Sequence, residues 1–358
     1  MINKKFLEEY LNEYSAVGFE HLNGQRVWVD YMSKFVDKIY DDNYGTVIAV
    51  INPEAEFKVV LDAHADEICW YISHIDKNGH LYVLRNGGSD VQIAPSKDVV
   101  IFTQSGKMVP GVFGWLAVHV RYGDLKDFKP ELDNLWIDIG ATSEEEVKNM
   151  GINIGDVALF NDKFRILNED KWVARSLDDK IGGYINSQVA RKLYENKDKL
   201  PFGLYIVNSV QEEIGLRGAQ MATQSIKPNI AICVDPIHNS NIPHLSTIKE
   251  GDFKFGDGVV LSVSPAIQKN LFNFMVNIAK EKNINYKIDI RSGSTGTNSD
   301  SYAYSNGGVV TGLVSIPLKY MHTTVEMVQE SDVENAIELI YNTIISLENN
   351  HDFRYLKL

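Results

Sequence analysis

The feature that most constrains this chain is an apolar run from Gly203 to Val210 that stops abruptly in Gln211-Glu212-Glu213-Ile214-Gly215. A run of this kind reads as a strand buried on both faces, which belongs in a sheet covered by helices rather than in a one-sided sheet. It delivers two adjacent carboxylates to one edge of that sheet. Buried negative charge of this sort is costly unless a positive group waits beside it.

The sequence around the run fits such a sheet. Thr46–Val50 and Phe57–Leu61 read as strands, with a helical stripe before them at Val27, Trp28, Met32, Phe35 and Val36. After Trp172, Asp178 and Asp179 precede Ile181, Tyr184, Ile185, Val189 and Leu193 at helical spacing, with the acids at the favourable end. A helix near Leu216–Thr223 and a strand at Asn229–Val234 follow. The next helix is expected to have Ser264 as its cap and Pro265 at its first position. Strands Asn285–Ile290 and Gly308–Ile316 come next, and Ser331 to Glu334 predict a capping box opening the last helix. Alternating strands and helices predict a mixed or parallel sheet with helices on both faces, a three-layer α/β/α domain.

From about Trp70 the pattern is different. His80–Leu84, Asp98–Phe102 and Leu135–Ile139 are short alternating segments separated by turn residues with no helix between them, and Gly151–Phe160 looks like the last of the series. They predict a small inserted antiparallel β barrel or sandwich at residues 70–165. The surrounding domain is then discontinuous, residues 1–69 and 166–358.

Composition excludes some functions. With 48 acidic against 35 basic residues the net charge is −13, which argues against nucleic acid or an anionic membrane as the partner. No apolar run reaches membrane-spanning length, and the first residues lack the apolar core of a signal peptide. Cys69 and Cys233 stand alone in apolar contexts and read as buried thiols, so a cytoplasmic setting is expected.

In open α/β sheets, ligand sites form outside the carboxyl ends of the strands. The residues that fall there are His64 and Asp66, Glu212 and Glu213, Asp235, and His322 after a short loop, with Asp178 and Asp179 at a helix start. Each has an ordinary explanation alone: a structural histidine, a helix cap, a solvated acid. Together they form a mixed nitrogen and oxygen donor set suited to zinc, cobalt or manganese. The surplus of carboxylates favours two ions sharing one acid. The other seven histidines, His238 among them, show no comparable placement. Ser294–Asp300 lacks the ending of a phosphate loop and reads as a tight loop near the site or an ordinary turn.

His64-x-Asp66, the run Ser176 to Gly182, Gln211-Glu212-Glu213 through Ala219, Val234-Asp235 and Tyr320-Met321-His322 resemble, in order and spacing, the M42 family of dinuclear metallo-aminopeptidases. The likeness continues through Ile137–Ala141 and Gly151–Asp156 and covers nearly the whole chain. It implies an exopeptidase acting on short peptides with a free N-terminus, and two divalent ions, zinc or cobalt with manganese a further candidate. Asp178 would bridge the ions across a cis Asp178–Asp179 peptide. His64 and Asp235 would hold one ion, and Glu213 and His322 the other. Asp66 would fix the tautomer of His64, and Glu212 would act as general base. The resemblance also implies a homo-oligomer assembled through the inserted domain, up to a tetrahedral dodecamer. The loops that shape a substrate pocket depart from the family's pattern at Thr295–Asp300, at Lys319 and Thr323, and after Asp235, so the preferred N-terminal residue stays open. Two other readings remain at this stage: a glycoside hydrolase, and a metal-binding scaffold without activity.

Overall fold

The computed structural model describes residues 2–358. Its main sheet has eight strands in the order Lys38–Asp41, Val47–Ile51, Gly203–Ser209, Lys58–His64, Ile230–Val234, Val310–Ser315, Val259–Val263 and Tyr286–Ile290. The four strands from Gly203–Ser209 to Val310–Ser315 run parallel, and antiparallel pairs flank them on both sides. Every residue of Gly203–Ser209 and of Ile230–Val234 is buried, as expected of strands covered on both faces.

Successive residues of Lys58–His64 show what covers each face, because side chains alternate along a strand. A Cβ at Gly182, in the helix Leu177–Asn196, would lie 2.9 Å from the Cβ of Ala63, so that helix packs tightly on one face and position 182 must stay small. The neighbouring Asp62 points the other way, where Asn298 and Tyr302 of the short helix Asn298–Ala303 donate to its carboxylate. The sheet is therefore the middle of three layers.

Between Lys58–His64 and Gly203–Ser209 in sequence lies a closed antiparallel barrel of Cys69–Ile75, Leu81–Asn86, Trp136–Asp138, Met108–Phe113, Asp98–Phe102 and Val157–Phe160. Its interior is filled by Trp70, Phe113 and Phe160, the first two in an edge-to-face contact with centroids 5.4 Å apart. Cys69 and Cys233 are buried and free. Among the described residues no helix is long and apolar enough to cross a membrane.

Two helix starts differ from expectation. Ser264 closes a turn, accepting from the Ala266 N–H, and the helix begins at Lys269 with the Gln268 side chain accepting from Asn270 and Leu271. The last helix begins at Glu330, directly after the strand Glu326–Gln329, with no side-chain cap. Here the Glu330 N–H is taken by the Asp170 carbonyl, so a tertiary contact replaces the expected capping box.

Candidate metal centre

The parallel strands place the acids and histidines side by side. His64 ends Lys58–His64 and pairs in register with Ser209, so Gln211 to Glu213 leave the sheet next to it. On the other side Asp235 follows Val234, and Val234 pairs with Val314 of the strand whose continuation carries His322. Asp178 comes in from above, at the start of Leu177–Asn196. His64, Asp178, Glu212, Glu213, Asp235 and His322 all line one cavity of about 410 Å³. Asp66, the seventh residue expected here, lies fully buried behind that wall.

Asp178 occupies the centre. Its Oδ1 is 3.2 Å from His64 Nε2 and its Oδ2 is 3.3 Å from His322 Nε2. His322 Nε2 also lies 3.2 Å from Glu213 Oε1, and Glu212 Oε2 is 4.0 Å from His64 Nε2. Donor atoms of His64, Asp178 and Glu213 lie within 4.8 Å of one another, close enough to share an ion. The Asp178–Asp179 peptide is cis, and both residues have non-helical backbone angles. Asp179 turns back to accept the N–H of Gly182, as a helix cap does, and so leaves Asp178 free to face the cavity.

The cavity lining is also held from behind by carboxylates. Asp66 accepts the backbone N–H groups of Glu212 and Glu213, at 3.0 and 3.1 Å. His64 Nδ1 is 3.1 Å from the Asp66 carbonyl and 3.5 Å from its carboxylate. Asp179 accepts the His64 N–H, and Glu326 accepts those of Asp178 and His322. Glu20 accepts the N–H of Gln211, a residue in the left-handed region at φ 56°. Glu20 and Glu326 have no place in the sequence reading. The amide Glu20 binds is 191 positions away, and Glu326 grips His322 across a loop that has no strand or helix period to mark it. A further unforeseen neighbour comes from the barrel: a Cβ at Gly88 would lie 2.5 Å from His322 Nδ1. His238 lines the cavity too, and Arg291, held by Asp289 at 2.5 Å, is the only lysine or arginine among the described lining residues.

Electrostatics test whether this donor set suits cations. Burial and the charges of Asp179, Asp178 and Glu212 push Asp235 well above the usual carboxylate range. Burial likewise raises Glu212, to about 8, against the pull of His64. Burial pulls His322 down, but hydrogen bonds to Asp178 and Glu213 outweigh it and raise the ring to about 11. Burial also pushes Asp178 up, yet hydrogen bonds from His322 and His64 hold it well below its ordinary range. The cavity thus gathers four carboxylates against His64 and His322, with Arg291 already held by Asp289. Together with nitrogen and oxygen donors at shared distances, that is the environment a divalent cation fits.

This fold and this donor set define a three-layer α/β protein with an inserted barrel and a candidate metal centre. The chain belongs to the M42 peptidase family: the family described as M42 glutamyl aminopeptidase matches residues 45–339. It is 34% identical over 341 residues to the lysyl aminopeptidase of Pyrococcus furiosus, covering 95% of this chain and 96% of that protein. Among solved structures it is similar to aminopeptidase APDkam598 from the archaeon Desulfurococcus kamchatkensis, with TM-score 0.87, 30% identity and coverage of 96% and 94%. It is also similar to the Pyrococcus horikoshii TET1 peptidase, which can assemble into a tetrahedron or a large octahedral shell, with TM-score 0.83, 26% identity and coverage of 96% and 99%. The chain is a hydrolase of peptide bonds.

Proposed function

We propose that the chain is an aminopeptidase with a dinuclear metal centre that removes residues from the free N-terminus of short peptides. The observation that carries this reading is the division of Asp178 between two histidines, one oxygen to each. His64, Asp178 and Asp235 would hold one ion, and His322, Glu213 and Asp178 the other. Bound divalent ions, zinc or cobalt with manganese a further candidate, would supply Lewis acidity toward the scissile carbonyl and lower the pKa of the attacking water.

The chain's own residues do the rest. Glu212 faces the cavity with its backbone fixed by Asp66 and has no hydrogen bond from either histidine at short range. It is the carboxylate left to accept the proton of the attacking water and return it to the leaving amine. Asp66 would set both the tautomer of His64 and the posture of Glu212. Its carbonyl lies 3.1 Å from His64 Nδ1 and its carboxylate accepts the Glu212 N–H, which supports both roles.

We assign residues 1–69 and 166–358 to the catalytic domain and 70–165 to the barrel domain, which would serve assembly or act as a lid. The TET1 relative's shells support a homo-oligomer for this chain, with a tetrahedral dodecamer as the expected form. The free, buried thiols fit a cytoplasmic setting. A glycoside hydrolase would need two carboxyl groups facing each other across the sugar bond. Glu212 and Glu213 are instead adjacent on one Asp66 clamp, and two histidines would have no task.

The test is a panel of free and N-acetylated aminoacyl-p-nitroanilides with chelator-dialysed protein, to which zinc, cobalt or manganese is returned. Metal-dependent cleavage confined to free amines is expected. Full activity after chelation, or equal cleavage of the acetylated series, overturns the proposal.

A further inference from the structure

Glu326 begins the strand Glu326–Gln329, paired with the strand Lys171–Ala174 so that Glu326 stands opposite Ala174. It is 2% exposed. Among the described residues no lysine, arginine or histidine side chain lies at ion-pair distance from it. Both its oxygens are nevertheless engaged. Oε2 accepts the backbone N–H of Asp178 at 3.0 Å, and Oε1 accepts that of His322 at 2.7 Å. The two amides come from segments separated by more than the whole second half of the sheet, one entering the helix Leu177–Asn196 and the other in the loop before Glu326 itself.

This loop needs holding. Tyr320 and His322 both have positive φ, 62° and 60°. Non-glycine residues occupy that region only when their surroundings fix them there. Neither residue is glycine, which enters that region without strain. A carboxylate that grips the His322 N–H from one side and the Asp178 N–H from the other sets the distance between the two backbones. It thereby sets the Asp178 Oδ2 to His322 Nε2 separation of 3.3 Å.

We infer that Glu326 is a positioning residue of the metal centre, binding neither ion nor substrate but fixing His322 against the shared acid Asp178. The inference rests on the metal reading given above. It also carries a directional consequence. The two histidines are held by different acids, His64 through Asp179 Oδ2 and His322 through Glu326 Oε1. Loss of the Glu326 clamp therefore acts directly on the His322 side of the centre and reaches the His64 side only through Asp178, so the His322 side is weakened more.

Glu326→Gln is the discriminating change. Glutamine keeps the size but has only one acceptor oxygen, and its NH₂ group must face an N–H donor. One of the two amides is then left without a partner. Substitutions of groups that orient metal ligands weaken binding by about 10–100-fold.

The measurement is a titration of chelator-stripped protein with Co²⁺, followed by calorimetry and by the visible absorption of the bound ion, which reports ligand geometry. A control is Asp332→Asn, since Asp332 is another buried carboxylate that gathers two backbone amides, those of Gly256 and Gly258, outside the cavity. The expected result is that Glu326→Gln binds one of two Co²⁺ equivalents about 10–100-fold more weakly, with an altered spectrum, while the other equivalent changes less and the Asp332→Asn protein matches wild type. Should Glu326→Gln not fold, Glu326→Asp carries the same test, because it keeps both acceptors but shortens their reach. Equal affinities and spectra in wild type and the Glu326 variant overturn the inference, as does a matching loss in Asp332→Asn. A wild-type chain that takes up no Co²⁺ overturns the metal reading itself, and this inference with it.

Discussion

Asp66 Oδ1 accepts the backbone N–H of Glu212 at 3.0 Å, although the two residues are 146 positions apart. Its other oxygen takes the next amide, that of Glu213, at 3.1 Å. One buried carboxylate thus fixes two consecutive peptide groups, and with them the directions in which the two acids leave the chain.

This arrangement makes Asp66→Asn informative. Asparagine has one acceptor oxygen, so one of the two amides loses its partner. The expected outcome is a fall in kcat of about 10–100-fold with a smaller change in KM, measured on aminoacyl-p-nitroanilides. An unchanged kcat would show that the clamp does not govern the acids.

Gly88 tests the contribution of the barrel. A side chain there would come within 2.5 Å of His322 Nδ1, so a larger residue must displace the ring or the loop. Gly88→Val is expected to lower activity by about 10–100-fold and to reduce metal content, with the melting temperature of the metal-free protein little changed. Full activity and full metal content in this variant would mean that the loop moves aside freely.

The region behind the site makes a prediction about pH. Glu67 is fully buried and forms ion pairs with Arg175 and Lys180. Burial raises its pKa, but the charges of Arg175 and Lys180 outweigh that and hold it at about 2, below its ordinary 4.5. A carboxylate depressed in the folded state binds fewer protons there than when unfolded. Its stabilisation is therefore complete above about pH 4.5 and is lost as pH falls toward 2. The gap corresponds to stability on the order of 3 kcal/mol. Lys180 gives back a comparable amount at neutral pH, because burial outweighs the attraction of Glu67 and pulls its pKa from 10.5 down to about 8. Denaturant unfolding at several pH values should show wild-type stability falling through the acid window and a flatter profile for Glu67→Gln. That variant should also be less stable at pH 7, by about 3–5 kcal/mol, because Arg175 and Lys180 lose their buried partner. Parallel acid profiles for the two proteins would remove Glu67 from the account.

Much of this architecture is legible in the sequence because strand burial leaves a periodic record. Gly203–Ser209 is buried throughout and reads as a mainly apolar run, whereas the barrel strand Leu81–Asn86 mixes buried and exposed positions and reads as a change of texture. Residues just beyond strand ends could be placed together because parallel strands bring those ends to one edge. The supporting acids were illegible for the converse reason. Glu20 reaches Gln211 and Glu326 reaches Asp178 through contacts that span 191 and 148 positions, and a backbone amide advertises nothing about its partner. The strand Val259–Val263 is not among the strands read from the sequence, and it supplies one of the antiparallel pairings that make the sheet mixed. Ser264 and Ser331 carried the right chemistry for helix caps, but Gln268 and the Asp170 carbonyl took those tasks.

The central claim is that Glu212 and Glu213, adjacent in the chain, have different tasks. It is tested most directly by measuring bound metal per chain and kcat side by side in Glu212→Gln and Glu213→Gln. The account predicts that Glu212→Gln keeps the wild-type metal content and loses about 10²–10⁴-fold in kcat, while Glu213→Gln loses metal. A Glu212→Gln protein that cleaves at the wild-type rate, or that loses its metal while Glu213→Gln retains it, would contradict the account.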